Sequence, residues 1–91
     1  MYSLKTPYEM ALDVAKRFRD VRTAKKITIK TLSENSGVPY SSIRRFEKTG
    51  EISFVSFVKI TSAIYEDEEI TRLFADPIPA SIEEVLRENR R

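Results

Sequence analysis

The chain has no cysteine, histidine or tryptophan, and only two of its 91 residues are glycine. Without cysteine it forms no disulfide, and without cysteine and histidine it lacks the usual zinc ligands and the nucleophiles of many enzymes. No apolar run approaches the ~18 to 20 residues that span a bilayer, and no basic segment followed by an apolar one opens the chain. These absences predict a cytoplasmic protein that is not an enzyme, carries no metal or cofactor and binds no membrane.

Length and charge narrow the possibilities further. Ninety-one residues form a single domain with a modest core. The net charge of +2 hides an asymmetry: residues 1–60 carry 12 Lys/Arg and 6 Asp/Glu, whereas residues 61–91 carry 4 and 8. Positive charge concentrated in one region favours binding to the phosphate backbone of a nucleic acid, because binding releases counterions. The same charges also fit an ordinary solvated surface.

Helical periodicity runs through most of the chain. Thr6, Pro7 and Glu9 predict a capped helix start, followed by a helix to about Lys25. Further helices are predicted from Thr28 to about Ser36, from about Tyr40 to Lys48, from Ser53 onward and from Glu66 onward. The apolar residues expected to face the core are Ala11, Val14, Ala15, Phe18, Val21, Ile29, Leu32, Ile43, Phe46, Phe54, Phe57, Val58, Ile60 (or Thr61), Ile64, Ile70, Leu73 and Phe74.

The second and third predicted helices meet at a tight corner. Gly37 can adopt positive φ at no steric cost, as the end of a helix commonly requires. Val38 can then point inward between the two helices, and Pro39 supplies a fixed φ for the start of the third helix. The pattern therefore predicts two short helices packed at a fixed angle.

The residues through this corner carry a family resemblance. The order Thr28, Leu32, Ser33, Gly37, Val38, Ile43, Arg45, Phe46, Glu47, Gly50 is similar to the Cro/C1-type (lambda-repressor-like, XRE) helix-turn-helix family. The resemblance covers roughly residues 11–74 and implies an all-α, five-helix DNA-binding domain. We assign residues 1–76 to this domain and residues 77–91 to a proline-containing linker with a short C-terminal helix. Two departures are Ile29, where the family often has a phosphate-contacting Gln, and Thr49, which lengthens the exit from the third helix.

The third helix supplies the candidate base contacts. In a helix-turn-helix, the residues at the N-terminal end of this helix and one turn further along reach base edges in the major groove. The outward polar residues there are Tyr40, Ser41, Arg44 and Arg45. A bidentate contact from either arginine to guanine is worth ~1 to 3 kcal/mol of discrimination. The alternatives are a solvated arginine face and a Tyr40 ring that merely covers the corner beside Pro39.

Contacts to the DNA backbone are expected from Thr28 at a helix start and from Lys30 and Lys48 nearby, with Lys25 and Lys26 adding non-specific charge. By resemblance, Ser42 also matches a backbone-contacting position. A carboxylate on a DNA-reading helix must be turned away or neutralised. We therefore predict a structural ion pair between Glu47 and Arg22 of the first helix, which also matches a family ion pair.

Partners follow from the size of the domain. One such domain contacts only a few base pairs, so adequate affinity normally requires a homodimer on a pseudo-palindromic operator in double-stranded DNA. The candidate dimer surface is the segment from Ile70 onward, including Ile78, Ile82, Val85 and Leu86. An intramolecular cap on the core is the alternative for that segment.

A weaker resemblance concerns the type of regulator. Residues 45–53 and the tail look like those of small regulators paired with HipA-like kinase toxins, the HipB-like antitoxin subgroup. This implies a repressor of its own operon that is also an antitoxin, although a phage repressor fits the same residues. The alternative from another class is a protein-interaction module that keeps the fold but does not read DNA. Ile29 favours that alternative, and the basic residues around the third helix oppose it.

Overall fold

A computed structural model describes residues 4–77 of the chain. Within that range the chain folds into five α-helices and has no β-strand, so the all-α prediction is confirmed. The helices are α1 (Pro7–Ala24), α2 (Ile29–Ser36), α3 (Tyr40–Thr49), α4 (Phe54–Ala63) and α5 (Asp67–Arg72). None of the helices in this range is long and apolar enough to cross a bilayer. The predicted C-terminal helix lies outside the described residues, as do Ile78, Ile82, Val85 and Leu86 of the candidate dimer surface.

The start of α1 has the predicted capping box. The Thr6 N–H donates to Glu9 Oε1 at 2.8 Å, and the Glu9 N–H donates to Thr6 Oγ1 at 3.1 Å. Pro7 occupies the first helical position, where its missing N–H removes no helical hydrogen bond. Thr28 and Ser53 cap α2 and α4 by accepting the backbone N–H of the residue three positions later.

The corner between α2 and α3 also forms as predicted. Gly37 ends α2 in the left-handed region, with φ +77°, and its N–H donates to the Ser33 carbonyl at 3.0 Å. Val38 is buried between the helices, and the Ser33 hydroxyl donates to its carbonyl at 2.7 Å. Pro39, with φ −56°, leads directly into α3. The angle between α2 and α3 is therefore set by this short turn.

One apolar core holds the helices together. α1 and α2 both pack against α3, and α4 packs against both α2 and α5. Phe18, Phe46 and Phe57 form an aromatic cluster, with Phe46 in edge-on contact with Phe18 at 5.5 Å and with Phe57 at 5.4 Å between ring centroids. The buried apolar residues are Ala15, Phe18, Leu32, Val38, Ile43, Phe46, Ile60 and Ile64.

Several residues expected in the core are exposed. Phe54 is 61% exposed because it is the first residue of α4, directly after the Ser53 cap, and lies on the rim of the core. Val14 is exposed at the edge of the α1 stripe. Leu73 and Phe74 are 51% and 96% exposed because α5 ends at Arg72 and Phe74 adopts a left-handed conformation with φ +57°. The prediction that these four side chains face the core was wrong.

Candidate nucleic-acid interface

The candidate base-contacting residues share one face of α3. A helix turns by ~100° per residue, so Tyr40, Ser41, Arg44 and Arg45 fall within an arc of about 140°. All four are exposed, and they lie opposite the buried Ile43 and Phe46. The structure therefore brings the four residues together on a free helix face.

Close packing against α1 fixes the position of α3. Gly50 ends α3 with φ +84°. A Cβ at Gly50 would lie 2.8 Å from both the carbonyl carbon of Ala11 and the backbone nitrogen of Leu12. The C-terminal end of α3 thus rests on the α1 backbone itself, which only glycine permits. Because backbone meets backbone here, a change of side-chain rotamers alone cannot move α3 relative to α1.

A buried ion pair joins α1 to α3 near the same face. Arg22 donates from Nε to Glu47 Oε2 at 2.7 Å and from Nη2 to Glu47 Oε1 at 2.8 Å. Its Nη1 donates to the Ile27 carbonyl at 2.7 Å, in the turn before α2. The side chains are only 9% and 7% exposed. The carboxylate of α3 is therefore both neutralised and drawn toward α1, away from the exposed face.

A basic groove of about 340 Å³ runs between α1 and α3 beside this ion pair. It is lined by Arg19, Arg22, Ile29, Arg44, Glu47 and Lys48. Since Arg22 neutralises Glu47, the remaining three cations give the groove a positive potential. Within residues 4–77, Arg19, Arg44 and Lys48 form no ion pair. This arrangement suits an anionic ligand.

Sequence reasoning did not single out Arg19. Its only signal was its spacing of three residues before Arg22, which places both on the same side of α1. That signal has meaning only once α1 is known to pack on α3 through the Arg22 side. The groove residue was therefore visible in the sequence but not interpretable there.

The two arginines of the α3 face differ in their surroundings. Arg45 Nη2 donates to Glu51 Oε1 at 2.5 Å, with the side chains 67% and 49% exposed. An ion pair so exposed is weak, and a phosphate or base can compete for the arginine. Arg44 has no such partner among the described residues and borders the groove. Of the two arginines, Arg44 is therefore the one positioned to meet a ligand without first breaking a contact.

The candidate backbone-contacting residues are less tightly grouped. Thr28 uses its hydroxyl to accept the Thr31 N–H at 3.1 Å, and Lys30 is exposed in the first turn of α2. Lys48 lines the groove. Ser42 is half-buried and lies about 60° beyond Arg45 around α3, at the opposite edge of the face. The structure thus places Thr28 and Lys30 at the start of α2, Lys48 in the groove, and Ser42 on α3 outside the groove lining.

Lys25 has a structural contact that the sequence did not reveal. Its Nζ donates to the Ile64 carbonyl at 2.5 Å and to Glu66 Oε2 at 2.8 Å. A lysine at the carbonyl end of a helix stabilises that end through the helix dipole. Lys25 thus connects the end of α1 with the end of α4. Its positive charge is paired with Glu66 rather than directed at a ligand. Lys26 remains exposed.

The acidic residues after α4 form a helix start. Asp67, Glu68 and Glu69 occupy the first turn of α5, where the helix dipole favours negative charge. No group of three or more metal-ligating side chains comes together anywhere in residues 4–77.

Comparison with known proteins finds a family match for the last four of the five helices. Residues 27–74, just over half of the chain, match the MerR HTH (helix-turn-helix) family of regulatory proteins. The match contains α2 to α5 and all the candidate DNA-contacting residues, whereas α1 precedes it. It supports a helix-turn-helix DNA-binding family and does not specify the Cro/C1 type. No curated protein and no solved structure matches the chain.

Proposed function

The chain belongs to the MerR helix-turn-helix family of regulatory proteins, and from this premise we propose that it represses its own operon by reading an operator through α3. At the level of the family, it is a regulator of transcription that binds double-stranded DNA. The finer proposal concerns which residues read the DNA and how the protein acts. Its main support is the exposed side of α3, where Arg44 and Lys48 form no ion pair among residues 4–77 while the carboxylate of Glu47 is neutralised by Arg22 of α1.

The division of labour on α3 follows from this geometry. Tyr40, Ser41, Arg44 and Arg45 are the residues we assign to base edges in the major groove. Arg44 is the principal candidate for guanine, because Arg45 must first release Glu51. We assign the DNA backbone to Thr28, Lys30, Ser42 and Lys48, which fix the orientation of α3 without reading sequence.

We further propose that the protein acts as a homodimer on a pseudo-palindromic operator. A single reading helix contacts too few base pairs to distinguish an operator from genomic DNA. Two copies would place their reading helices about 34–36 Å apart, one helical turn of DNA. Sedimentation of the protein with one operator duplex tests this proposal, since binding as a single copy per duplex contradicts it.

Two finer proposals concern the type of helix-turn-helix regulator: a Cro/C1-type domain and an antitoxin role. Five helices without a strand in residues 4–77 and the Arg22–Glu47 pair joining α1 to α3 both support the Cro/C1 arrangement. The antitoxin proposal rests on the resemblance of residues 45–53 and of the tail to regulators of HipA-like kinase toxins. Purification of this protein together with a HipA-like kinase tests it, since a kinase that does not co-purify contradicts it.

The decisive experiment measures binding to the DNA immediately upstream of the gene, against a scrambled duplex, over a salt series. The Arg44→Ala/Arg45→Ala variant is compared with Lys59→Ala/Arg72→Ala, which removes two positive charges from α4 and α5. We expect wild type to prefer the upstream duplex by at least about 10³-fold and to lose affinity steeply with salt. The α3 variant should lose most of that preference, and the control variant should retain it.

The alternative is a protein-interaction module that does not read DNA. Its structural support is the exposed apolar pair Phe54 and Val55 at the start of α4, together with Ile29 in the wall of the groove. An α3 variant that binds the upstream duplex as well as wild type, or a wild type without preference for that duplex at low salt, would favour this alternative.

A further inference from the structure

Arg19 is a cation for which the proposed function has no role. It lies on α1, outside the α2–α3 pair and outside the residues that match the family. Its side chain nevertheless lines the same groove as Arg44 and Lys48 of α3. Two separate helices thus direct positive side chains at one space between them.

The electrostatics of the groove favour a single anion. Arg19, Arg44 and Lys48 have no acidic partner among residues 4–77, and the one carboxylate in the wall is held by two hydrogen bonds from Arg22. Because all three side chains line one groove, their positive charges repel one another. Their mutual repulsion is relieved when an anion enters the groove.

The remaining wall of the groove adds to the same field. Ile29 is the first residue of α2, so the positive end of that helix dipole lies at the groove. The Ile29 side chain itself offers no hydrogen bond. The side-chain contacts to an anion at this wall therefore come from the cations on α1 and α3.

We infer that this groove holds one phosphate of the DNA backbone and that Arg19 and Lys48 contact it from opposite sides. The inference rests on the proposed function, because the groove borders the α3 face assigned to the major groove. Arg44 lines the groove and also belongs to that face. With Arg19 and Lys48 on the phosphate, Arg44 is left to reach a base edge. In this arrangement α1 contributes to affinity but not to sequence preference.

The test compares Arg19→Ala with Arg17→Ala. Arg17 is exposed on the same helix but about 200° away around it, and it does not line the groove. Both variants therefore lose one positive charge from α1. Each is titrated with the upstream duplex and with the scrambled duplex over a salt series, after a thermal melt has shown that it is folded.

We expect Arg19→Ala to weaken binding to both duplexes by a similar factor. The slope of log K against log salt should become shallower by about 0.9, the value for one lost phosphate contact. Arg17→Ala should keep the wild-type slope. Arg19→Lys should restore most of the slope, because a lysine also neutralises a phosphate.

The outcomes separate the two proposals. Equal slopes for Arg19→Ala and Arg17→Ala overturn the groove inference and leave the operator proposal standing. A loss confined to the upstream duplex places Arg19 at a base edge and also overturns it. If wild type binds both duplexes equally and Arg19→Ala still has the shallower slope, the operator proposal fails and the groove inference stands. If wild type binds neither duplex, both proposals fall.

Discussion

The guanidinium of Arg22 and the carboxylate of Glu47 meet side by side, with paired distances of 2.7 Å and 2.8 Å, at the contact between α1 and α3. The third donor of Arg22 holds the Ile27 carbonyl in the turn before α2. The Arg22 side chain thus connects α1 with α3 and with the turn that leads into α2. It also removes the single carboxylate of α3 from the face that we assign to DNA.

Breaking this pair should destabilise the fold strongly. Glu47→Ala leaves the nearly buried guanidinium of Arg22 without its charge partner, and removing one member of a buried pair typically costs about 3–5 kcal/mol. We expect Glu47→Ala to lower the free energy of unfolding by about 3 kcal/mol, a large share of the about 5–15 kcal/mol of a typical domain. Urea denaturation followed by circular dichroism measures the change.

The double variant Arg22→Met/Glu47→Leu is the matched control for that cost. Both charges disappear together and apolar groups of similar length fill the space, so most of the lost stability should return, to within about 1–2 kcal/mol of wild type, the remainder reflecting the lost hydrogen bond to the Ile27 carbonyl. If the single Glu47→Ala variant is already as stable as wild type, the pair does not hold α1 to α3.

The two glycines that end α2 and α3 should respond differently to alanine. Both have positive φ, so alanine at either position is strained by about 1–2 kcal/mol. At Gly37 no atom lies within 4 Å of the added Cβ, whereas at Gly50 the Cβ would clash with the α1 backbone at 2.8 Å. We expect Gly50→Ala to cost about 1–3 kcal/mol more than Gly37→Ala, because a backbone cannot move aside as a flexible side chain does.

The glycine comparison is measured by thermal and urea unfolding of the two single variants. Gly37→Ala is the control for Gly50→Ala, since it has the cost of the left-handed conformation without the cost of the clash. Equal destabilisation by the two variants would show that α3 can shift away from α1 at Gly50. In that case the proposed fixed orientation of α3 would be wrong.

Local signals in the sequence were sufficient for much of the fold. The Thr6–Glu9 capping box, the Gly37 corner and the inward Val38 each depend on a few consecutive residues, and each was predicted correctly. Helix caps and turns have this property because their energetics are local. The Arg22–Glu47 pair was also expected, because an exposed carboxylate on a DNA-reading helix is unfavourable and the family resemblance supplied a partner.

Contacts between distant segments were less accessible to prediction. The hydrogen bond from Lys25 to the Ile64 carbonyl depends on where α4 ends relative to α1. The placement of Arg19 in the groove depends on how α1 packs on α3. Phe54 fitted the apolar period of α4, but the depth of burial at the first turn of a helix depends on the neighbouring helices. Periodicity indicates a face and not its depth in the core.

The capping box at α1 should make stability depend on pH. Hydrogen bonds from the Thr6 backbone N–H and then from its side chain lower the pKa of Glu9, and a hydrogen bond from Lys5 lowers the pKa of Asp13. A carboxyl group with a lowered folded-state pKa stabilises the fold above its unfolded pKa. That stabilisation is lost as the pH falls through the folded-state pKa, in a window that opens at about pH 5.

Glu9→Gln removes this titration while a glutamine can still complete a capping box. We expect wild type to be the more stable of the two at neutral pH and the difference in free energy of unfolding to shrink as the pH falls. Urea denaturation at a series of pH values, with both proteins in the same buffers, measures the difference. Parallel pH profiles for the two proteins would mean that Glu9 makes no pH-dependent contribution.

Releasing Arg45 should tighten DNA binding. In the free protein Arg45 is paired with Glu51, and an exposed pair of this kind contributes roughly 0.2–1 kcal/mol. Glu51→Gln removes the competitor for Arg45 and a negative charge close to the end of α3. We expect the affinity for the upstream duplex to rise about 1.4- to fivefold, corresponding to that range of energies. Glu68→Gln is the control, because it removes the same charge from the Glu68–Arg72 pair on α5.

Fluorescence anisotropy with labelled duplex measures both variants at one salt concentration. A gain in Glu51→Gln that Glu68→Gln does not share supports the assignment of Arg45 to DNA, whereas equal gains would reduce the effect to overall charge and argue against that assignment.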